Sequence, residues 1–287
     1  MLIRMLLALL LIPACVFAQE RVHVSGRIVN EKGEAVEYVQ IGVPKLRIGT
    51  VSTVDGRFEM ELPCDTLEFF HVSYQAASYP VTGPADDVVI VLHEQELAPA
   101  VFIGGETKKK YLLRSGRDVL GNMGSSVFSL QEGYSSGREI GSVARTKKPF
   151  LVQDIMFSIQ SNHIPGCVAS INIYRIEGEN ESFVNVLHKP IYFDVAVSDK
   201  SREYEIHPEE TLLLEPGRYF IAFQVVGWDE VAMQDYLARP AEERKPYEMC
   251  TYFNVFLKSS YVRSAALGEM QYLPVNIGVA VKGLEYQ

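Results

Sequence analysis

Residues 22–33 read VHVSGRIVNEKG, and this stretch predicts how the first third of the chain folds. Its first eight residues are rich in β-branched side chains, as strands are, and Asn30 to Gly33 form a typical turn sequence. Similar short stretches follow: VEYVQIGV (36–43), GTVSTVDGRFEMEL (49–62), LEFFHVSY (67–74) and DVVIVL (87–92). The Asp55-Gly56 pair predicts a tight hairpin turn within 49–62. Strands of this length and spacing, without helical periodicity, are typical of a β-sandwich.

The order of these segments carries a family resemblance. The residues concerned are Gly26 to Gly33, Val39 to Val43, Gly49 to Phe58, Leu67 to Tyr74 and Val88 to Leu92. Over about residues 22–103 they resemble the carboxypeptidase-regulatory-like domain, which implies a transthyretin-like sandwich of seven strands in a domain spanning 20–103. That family occurs in exported bacterial proteins and at the N-terminus of TonB-dependent outer-membrane receptors, and its domain is not the catalytic one. One departure is Ser73, where the family often has glycine.

The overall composition is that of a globular protein. The chain has 287 residues, of which 47% are hydrophobic and 22% charged, and this excludes a wholly disordered chain. Its 36 acidic residues outnumber 27 basic ones, for a formal charge of −9. A nucleic-acid-binding protein usually carries a basic surface. The sequence therefore predicts no nucleic-acid partner.

Residues 1–18, MLIRMLLALLLIPACVFA, have the features of a secretory signal peptide. An arginine precedes a short apolar run, and the segment ends in small residues. The apolar run is too short to span a bilayer as a helix. We expect cleavage after Ala18, export to the periplasm or outer membrane, and no membrane span in the mature chain. Alternatively, Ile12 to Cys15 resembles a bacterial lipobox, which would leave Cys15 as a lipidated N-terminus.

Residues 104–137 combine several glycines with a basic cluster that includes Lys108, Lys109 and Lys110. They lack hydrophobic periodicity, and we predict a solvated linker between two domains. The lysines also suggest a peripheral contact with anionic lipid head groups or lipopolysaccharide, because clustered positive charges attract such surfaces.

Residues 138–287 predict a second β-sandwich with a jelly-roll-like topology, so the predicted fold class is all-β. The strand candidates are 150–160, 168–176, 185–197, 202–206, 218–226, 251–258 and 277–286. A short helix is predicted at 229–238, with Asp229 as its N-cap. A charged loop bracketed by prolines follows at 239–248. This half resembles, more loosely, the segment often found behind the regulatory-like domain in exported bacterial proteins.

Three cysteines, Cys64, Cys167 and Cys250, follow the predicted leader. An odd number allows at most one intramolecular disulfide, and an exported chain meets an oxidising compartment. A Cys167–Cys250 bridge and three unpaired thiols both remain open.

The family name raises the question of a zinc site. Carboxypeptidases place His and Glu three residues apart, with a second His about a hundred residues later, and His93, Glu96 and His207 match that spacing. However, His93 and His207 fall in different predicted domains, and the chain has almost no helix for the enzyme's α/β core. No GxSxG motif and no obvious Cys/His arrangement are present. We predict no catalytic site, no metal and no cofactor, and a hydrolase is the least favoured alternative.

Aromatic and arginine residues cluster around the predicted helix. The predicted interaction residues are Trp228, Tyr236, Arg239, Arg244, Tyr247 and Tyr252. Such residues are enriched at binding sites because they combine a large contact area with a polar group. They could equally fill the core or anchor the loop. The sequence thus favours a non-catalytic binding or scaffold protein whose partner is an envelope protein or a glycan, with a carbohydrate-binding accessory protein as the alternative.

Overall fold

The computed structural model describes residues 21–95, 104–114, 124–129, 136–245 and 247–287. The predicted leader, with Cys15, lies outside these residues. Almost all regular structure in the described part is β-strand, in several sheets packed as sandwiches, which confirms the predicted all-β class. Within the same part, no helix combines the length and the hydrophobicity needed to cross a membrane.

Seven strands form the first sandwich. They are β1 (Arg21–Asn30), β2 (Gln40–Val43), β3 (Ile48–Val51), β4 (Arg57–Pro63), β5 (Thr66–Phe70), β6 (Ala77–Pro80) and β7 (Ala85–Leu92), with a 3₁₀ turn at Pro44–Leu46. One sheet has the order β4-β1-β7, in which β1 and β7 run parallel, and the other has the order β3-β2-β5-β6. Seven strands match the expected number, while membership of the carboxypeptidase-regulatory-like family stays a prediction.

Alternating apolar residues hold the first sandwich together. In β4, Phe58, Met60 and Leu62 are buried, whereas the charged residues between them are exposed. They share one core with Leu67 and Phe69 of β5, and the rings of Phe58 and Phe69 meet edge to face at 5.7 Å. The period of two therefore directs one face of each sheet into the core.

The hairpin predicted over residues 49–62 is wrong. Strand β3 pairs with β2, and β4 pairs with β1, so the turn at Asp55-Gly56 carries the chain from one sheet to the other. Gly56 does adopt the left-handed conformation, with φ of 75°. The Asp-Gly pair therefore predicts where the chain reverses, but not which strand lies beside it.

The second sandwich contains the remaining strands and the helix. These elements are β8 (Thr107–Leu113), β9 (Gly124–Ser129), β10 (Glu139–Thr146), β11 (Phe150–Asn162), β12 (Cys167–Glu177), β13 (Ser182–Asn185), β14 (Ile191–Val195), β15 (Arg202–Ile206), β16 (Leu212–Leu214), β17 (Gly217–Gly227), α1 (Glu230–Ala238), a 3₁₀ turn (Ala241–Glu243), β18 (Cys250–Phe256), β19 (Ser260–Arg263), β20 (Gln271–Leu273), β21 (Asn276–Ile277) and β22 (Val279–Tyr286). One sheet has the order β13-β12-β17-β10-β19-β20, with β14 also beside β12. The other has the order β21-β18-β11-β22-β8, with β9 beside β18 and with β15 and β16 beside β11.

Two of these strands lie within 104–137, the range predicted as a linker. Strand β8 pairs with β22, and β9 pairs with β18, so the described parts of this range belong to the second sandwich and the linker prediction is wrong for them. Because β8 is almost wholly exposed, it shows no alternating pattern and is held by its backbone pairing. Lysines on an edge strand also discourage pairing with other chains. Lys110 forms an ion pair with Glu285 at 2.6 Å, and lipid contact through Lys108 and Lys109 stays a prediction.

The first sandwich docks on the outer face of the sheet that contains β12, β17 and β10. Val51 of the first sandwich forms a buried cluster with Val226 and Ala266 of the second. Tyr38 and Tyr192 pack against the same cluster, and their rings meet edge to face with 5.0 Å between centroids. Side chains on the other face of β17 fill the main core of the second sandwich. Strand β17 therefore links that core to the docking interface.

Two glycines allow the docked chains to approach backbone to backbone. A Cβ atom at Gly49 would lie 2.3 Å from the carbonyl oxygen of Ala266, and one at Gly42 would lie 2.6 Å from the same oxygen. Atoms do not approach this closely without a shift. The lack of a side chain at Gly42 and Gly49 thus lets the chain at Ala266 lie directly on β2 and β3.

We expect Gly49→Ala to lower the free energy of unfolding by about 1–3 kcal/mol, because β3 or the segment at Ala266 must move aside. Gly83→Ala is the matched control, since a Cβ atom there meets nothing within 4 Å. Its effect should stay within about 0.5 kcal/mol. Urea denaturation measures both changes, and equal stability of the two variants would contradict the close approach.

Candidate functional site

Helix α1 sets the positions of most of the predicted interaction residues. Asp229 has an extended backbone, and its carboxylate accepts a hydrogen bond from the Ala232 amide at 3.0 Å. This is the N-cap that the sequence predicts. The cap sets the start of the helix, and Met233 and Tyr236 are its buried residues.

Tyr236 is the centre of a cluster that fixes the following loop. Its side chain is 1% exposed, and its buried hydroxyl has no hydrogen-bond partner among the residues that the structure describes. The guanidinium groups of Arg239 and Arg244 lie 5.0 and 5.5 Å from the centre of its ring, where cation–π attraction acts. Arg244 also donates to the carbonyl oxygens of Leu237 and Arg239, at 2.7 and 3.0 Å. The structure therefore joins three of the predicted residues in anchoring the loop, and burial leaves the Tyr236 ring no surface for a partner.

Tyr247 and Tyr252 form a separate aromatic pair. Their rings meet edge to face with 5.9 Å between centroids. Tyr247 is 64% exposed, and Tyr252 is partly buried. Arg239 reaches the same loop through an ion pair with Glu248 at 3.1 Å. This pair presents an accessible aromatic surface.

Trp228 differs from the other five residues because it lines a groove between the two sandwiches. The side chain is half-buried, and its ring packs on Phe128 with 5.2 Å between centroids. The groove has a volume of about 1090 Å³. Ligand pockets usually measure about 300–1,000 Å³, so this volume accommodates a substantial ligand.

Both sandwiches supply walls to this groove. The first contributes exposed positions of β1, β4 and β7 and the turn after β3, among them Arg27, Asp55, Arg57, Glu59 and Asp87. The second contributes the end of β17 and the start of α1, with Gly227, Trp228, Glu230 and Gln234. Tyr38 and Val226 lie where the two walls meet. The groove therefore exists only because the sandwiches are docked.

The charged residues of the groove are partly paired. Arg57 Nε lies 2.9 Å from Asp55 Oδ2. Partial burial, together with the charges of Asp55 and Asp229, raises the pKa of Glu230. The indole N–H of Trp228 is buried and makes no hydrogen bond of ordinary geometry to any described residue. It nevertheless lies near enough to Glu230 to favour the charged carboxylate. The Glu230 carboxylate thus lies beside Trp228 in the groove, and no ion pair within the described residues neutralises it.

A buried polar network crosses the docking interface. Glu139 accepts hydrogen bonds from the Tyr174 hydroxyl at 2.8 Å and from the Asn172 side-chain amide at 2.7 Å. Arg263 Nη1 lies 3.3 Å from the other Glu139 oxygen and donates to Gln40 of the first sandwich at 3.4 Å. Burial raises the pKa of Glu139, and the charge of Arg263 opposes that rise. The network ties β10, β12 and β19 to β2.

A second polar contact joins His71 of the first sandwich to Tyr192 of the second. The Tyr192 hydroxyl lies 3.3 Å from His71 Nε2, beside a small cavity of about 20 Å³. Burial lowers the pKa of His71 to about 4, so its imidazole is neutral at pH 7. Together with contacts such as the Arg47–Glu269 ion pair at 3.1 Å, these polar contacts hold the sandwiches in one orientation.

Sequence reasoning missed an aligned cysteine, histidine and aspartate. Cys250 Sγ lies 3.8 Å from His163 Nδ1, and His163 Nε2 lies 2.8 Å from Asp199 Oδ1. Catalytic sites can place a nucleophile, a base and an acid that orients the base in this order. These three residues, however, are distant in sequence and form no motif. Cys250 is fully buried, and its thiol donates to the Tyr247 carbonyl oxygen at 2.7 Å. Because buried thiols are unreactive, we assign this arrangement a structural role.

The three cysteines are free thiols in the structure, and the Cys167–Cys250 bridge is not formed. The Thr251 side chain forms a hydrogen bond with Cys167. Neighbouring residues of a strand point to opposite faces, so Cys250 points away from Cys167. Burial raises the pKa of Cys167 to about 12, which makes its thiol inert as well.

The residues of the zinc hypothesis bind other partners. His93 Nδ1 lies 2.7 Å from Glu31 Oε1, and His207 Nδ1 lies 2.5 Å from Asp154 Oδ1. Glu96 lies outside the described residues. In the described ranges, no three or more His, Cys, Asp or Glu side chains are grouped so as to hold a metal ion.

No protein-family model and no curated protein matches the chain. Among solved structures, it is similar to a DUF3823 family protein from Bacteroides ovatus, at 10% identity and a TM-score of 0.22, over 72% of this chain and 98% of that one. A DUF3823 family protein from Parabacteroides merdae has 8% identity and a TM-score of 0.21, over 90% and 98%. The infectious bursal disease virus VP2 subviral particle has 10% identity and a TM-score of 0.29, over 93% and 64%. Similarities of this size carry no argument about family or function.

Proposed function

We propose that the chain is an exported, non-catalytic binding protein of the bacterial periplasm or outer membrane, and that its ligand occupies the groove between the sandwiches. The groove itself carries the proposal: two walls from different sandwiches enclose about 1090 Å³ and meet at Tyr38 and Val226. Ligand sites are frequent at such concave junctions, where a few polar groups orient the ligand.

Export rests on residues 1–18, which have the pattern of a secretory signal. Lipidation at Cys15 would place the same groove next to a membrane. The resemblance to the carboxypeptidase-regulatory-like domain supports an exported bacterial protein, since that family is common among them.

The docking contacts support a binding role, because a preformed site costs little to organise when the ligand arrives. Gly49 lies against Ala266, and Arg263 of the buried network reaches Gln40 across the interface. Both contacts fix the spacing between the groove walls. We therefore expect the free protein to present the groove in its binding geometry.

A carbohydrate-binding accessory role is the second candidate, and the exposed Tyr247–Tyr252 pair favours it. Aromatic rings with a polar group offer flat apolar faces that suit sugar rings. This surface lies on the loop after α1 and on β18, whereas the groove is lined by residues of α1 and of the segment before it. The two candidates therefore place the ligand on different residues.

Trp228 is the only tryptophan of the chain, so its fluorescence reports on the groove without a label. We expect titration with a panel of oligosaccharides and short peptides to shift Trp228 emission for any ligand that enters the groove. Tyr247→Ala should leave the affinity of such a ligand unchanged. A glycan that loses affinity in Tyr247→Ala without affecting Trp228 emission would favour the carbohydrate role. If no member of the panel shifts the emission, the groove is not the binding site.

A further inference from the structure

We propose that the groove binds an extended basic peptide segment of a partner protein, with one lysine or arginine side chain held beside Trp228 and Glu230. This inference rests on the proposed function, because it names the ligand class of the same groove.

The groove walls carry an excess of negative charge. Four carboxylates face two guanidinium groups: Asp55, Glu59, Asp87 and Glu230 against Arg27 and Arg57. Both arginines already bind Asp55, because Arg57 pairs with its carboxylate at 2.9 Å and Arg27 donates to its carbonyl oxygen at 3.3 Å. Across the described ranges, Asp87 and Glu230 form no ion pair. A cationic ligand group would supply the missing positive charge, whereas an anionic one would meet repulsion.

The residues at the start of α1 have the chemistry that recognises a cation. Trp228 and Glu230 both line the groove, and the Asp229 cap between them fixes the first turn of the helix. A carboxylate provides charge, and an indole ring attracts cations more strongly than other aromatic rings. Trp228 is half-buried, so water screens its attraction for a cation less than it would at an exposed ring. This end of the groove therefore suits a lysine or arginine side chain.

The size of the groove favours a peptide over a small free amine. About 1090 Å³ is far more space than one ammonium group fills, so a bare amine would leave most of the walls uncovered. Ser52 and Thr53 already form hydrogen bonds within the chain, and Ser52 is fully buried. The remaining lining offers the hydrogen-bonding side chains of Ser25 and Gln234. Such groups can bind the amide groups of an extended main chain. We therefore place a peptide backbone along the groove and its basic side chain at the helix end.

The test uses three matched peptides, acetyl-Gly-Ser-X-Ser-Gly-amide with X as lysine, glutamine or glutamate, and one neutral oligosaccharide. Trp228 emission and calorimetry at low salt measure binding. We expect the lysine peptide to bind at least about tenfold more tightly than the glutamate peptide and to weaken as salt screens the charges. Glu230→Gln should weaken the lysine peptide about two- to fivefold and leave the glutamine peptide unchanged. Asp235→Asn, on the same helix but outside the groove, is the matched control and should change neither.

Three outcomes contradict the inference, and the first two separate it from the proposed function. If the glutamine peptide, the glutamate peptide or the oligosaccharide shifts Trp228 emission as strongly as the lysine peptide, the groove binds ligands but does not select cations. If none of the four shifts the emission, both the inference and the groove as a site are wrong. Equal effects of Glu230→Gln and Asp235→Asn on the lysine peptide would also contradict the assigned role of Glu230.

Discussion

Replacing Arg263 with methionine is expected to lower the free energy of unfolding by about 3–5 kcal/mol at pH 7, because it leaves the buried Glu139 without its counter-charge. The Glu139 side chain is 0% exposed and Arg263 10% exposed, and Nη1 lies 3.3 Å from Oε2. Tyr174 and Asn172 would still donate to the carboxylate, but neutral donors only partly replace a cation. Arg263 also reaches Gln40, so the variant weakens the docking of the two sandwiches.

The loss of stability in Arg263→Met should depend on pH, because the protonation of Glu139 changes with pH. Burial raises its pKa in the folded state, and removing Arg263 removes the charge that opposes the rise. A carboxyl whose pKa is higher in the folded than in the unfolded state stabilises the fold at pH values below its ordinary pKa. This contribution is lost as the pH rises through the pKa of the folded state. The stability deficit of Arg263→Met should therefore shrink as the pH falls from 7 toward the carboxyl range. Urea denaturation at several pH values measures the trend.

The control for this prediction is the double variant Glu139→Gln with Arg263→Met. It removes both charges, so it should be more stable at pH 7 than Arg263→Met alone and should lose the pH dependence. If the single variant is as stable as the wild type, or if its deficit grows toward low pH, the Glu139–Arg263 pair does not have the role assigned here.

Replacing Tyr236 with alanine is expected to cost about 3–5 kcal/mol, because a fully buried aromatic ring leaves a cavity in the second core. Its neighbours Arg239 and Arg244 would also lose the ring beneath their guanidinium groups. Tyr236→Phe should cost nothing or be slightly stabilising, since the buried hydroxyl has no hydrogen-bond partner in the described part of the chain. Thermal and urea denaturation measure both variants.

Tyr247→Ala is the comparison for these two variants, because Tyr247 comes from the same predicted set but is 64% exposed. Its stability change should stay within about 0.5 kcal/mol. A stability loss in Tyr247→Ala as large as that in Tyr236→Ala would show that burial does not separate the two residues.

Local sequence signals account for most elements of the fold. The predicted strands at 22–29, 150–160 and 218–226 are confirmed by β1, β11 and β17, where β-branched and aromatic residues are dense. The helix and its Asp229 cap are also confirmed. The strand predicted at 36–43 begins only at Gln40, because Tyr38 has φ of 51° and turns the chain. These confirmed and wrong predictions all concern the strand, helix and turn preferences of short segments.

Long-range arrangements could not be predicted in the same way. Strand β8 lies at an exposed edge of its sheet and is held by backbone pairing with β22. Its sequence therefore shows no alternation of apolar and polar residues. Tyr236 and Trp228 have similar sequence surroundings, yet one fills the core and the other lines the groove. Arg27 and Asp87 are exposed strand residues, and only the docking of the two sandwiches places them in one groove with Trp228. The groove is a product of docking, and no single segment encodes it.

Blocking the groove with a bulky label tests its role most directly. Val54 lines the groove and is 61% exposed, whereas Val184 is 47% exposed on β13, outside the groove. Each is changed to cysteine in a Cys64→Ser background, because Cys64 is the exposed thiol, and is then labelled with a bulky maleimide. For the panel ligand that binds most tightly, the label at position 54 should lower the affinity at least about tenfold, and the label at 184 should leave it unchanged. Unchanged affinity with position 54 labelled would show that the ligand does not occupy the groove.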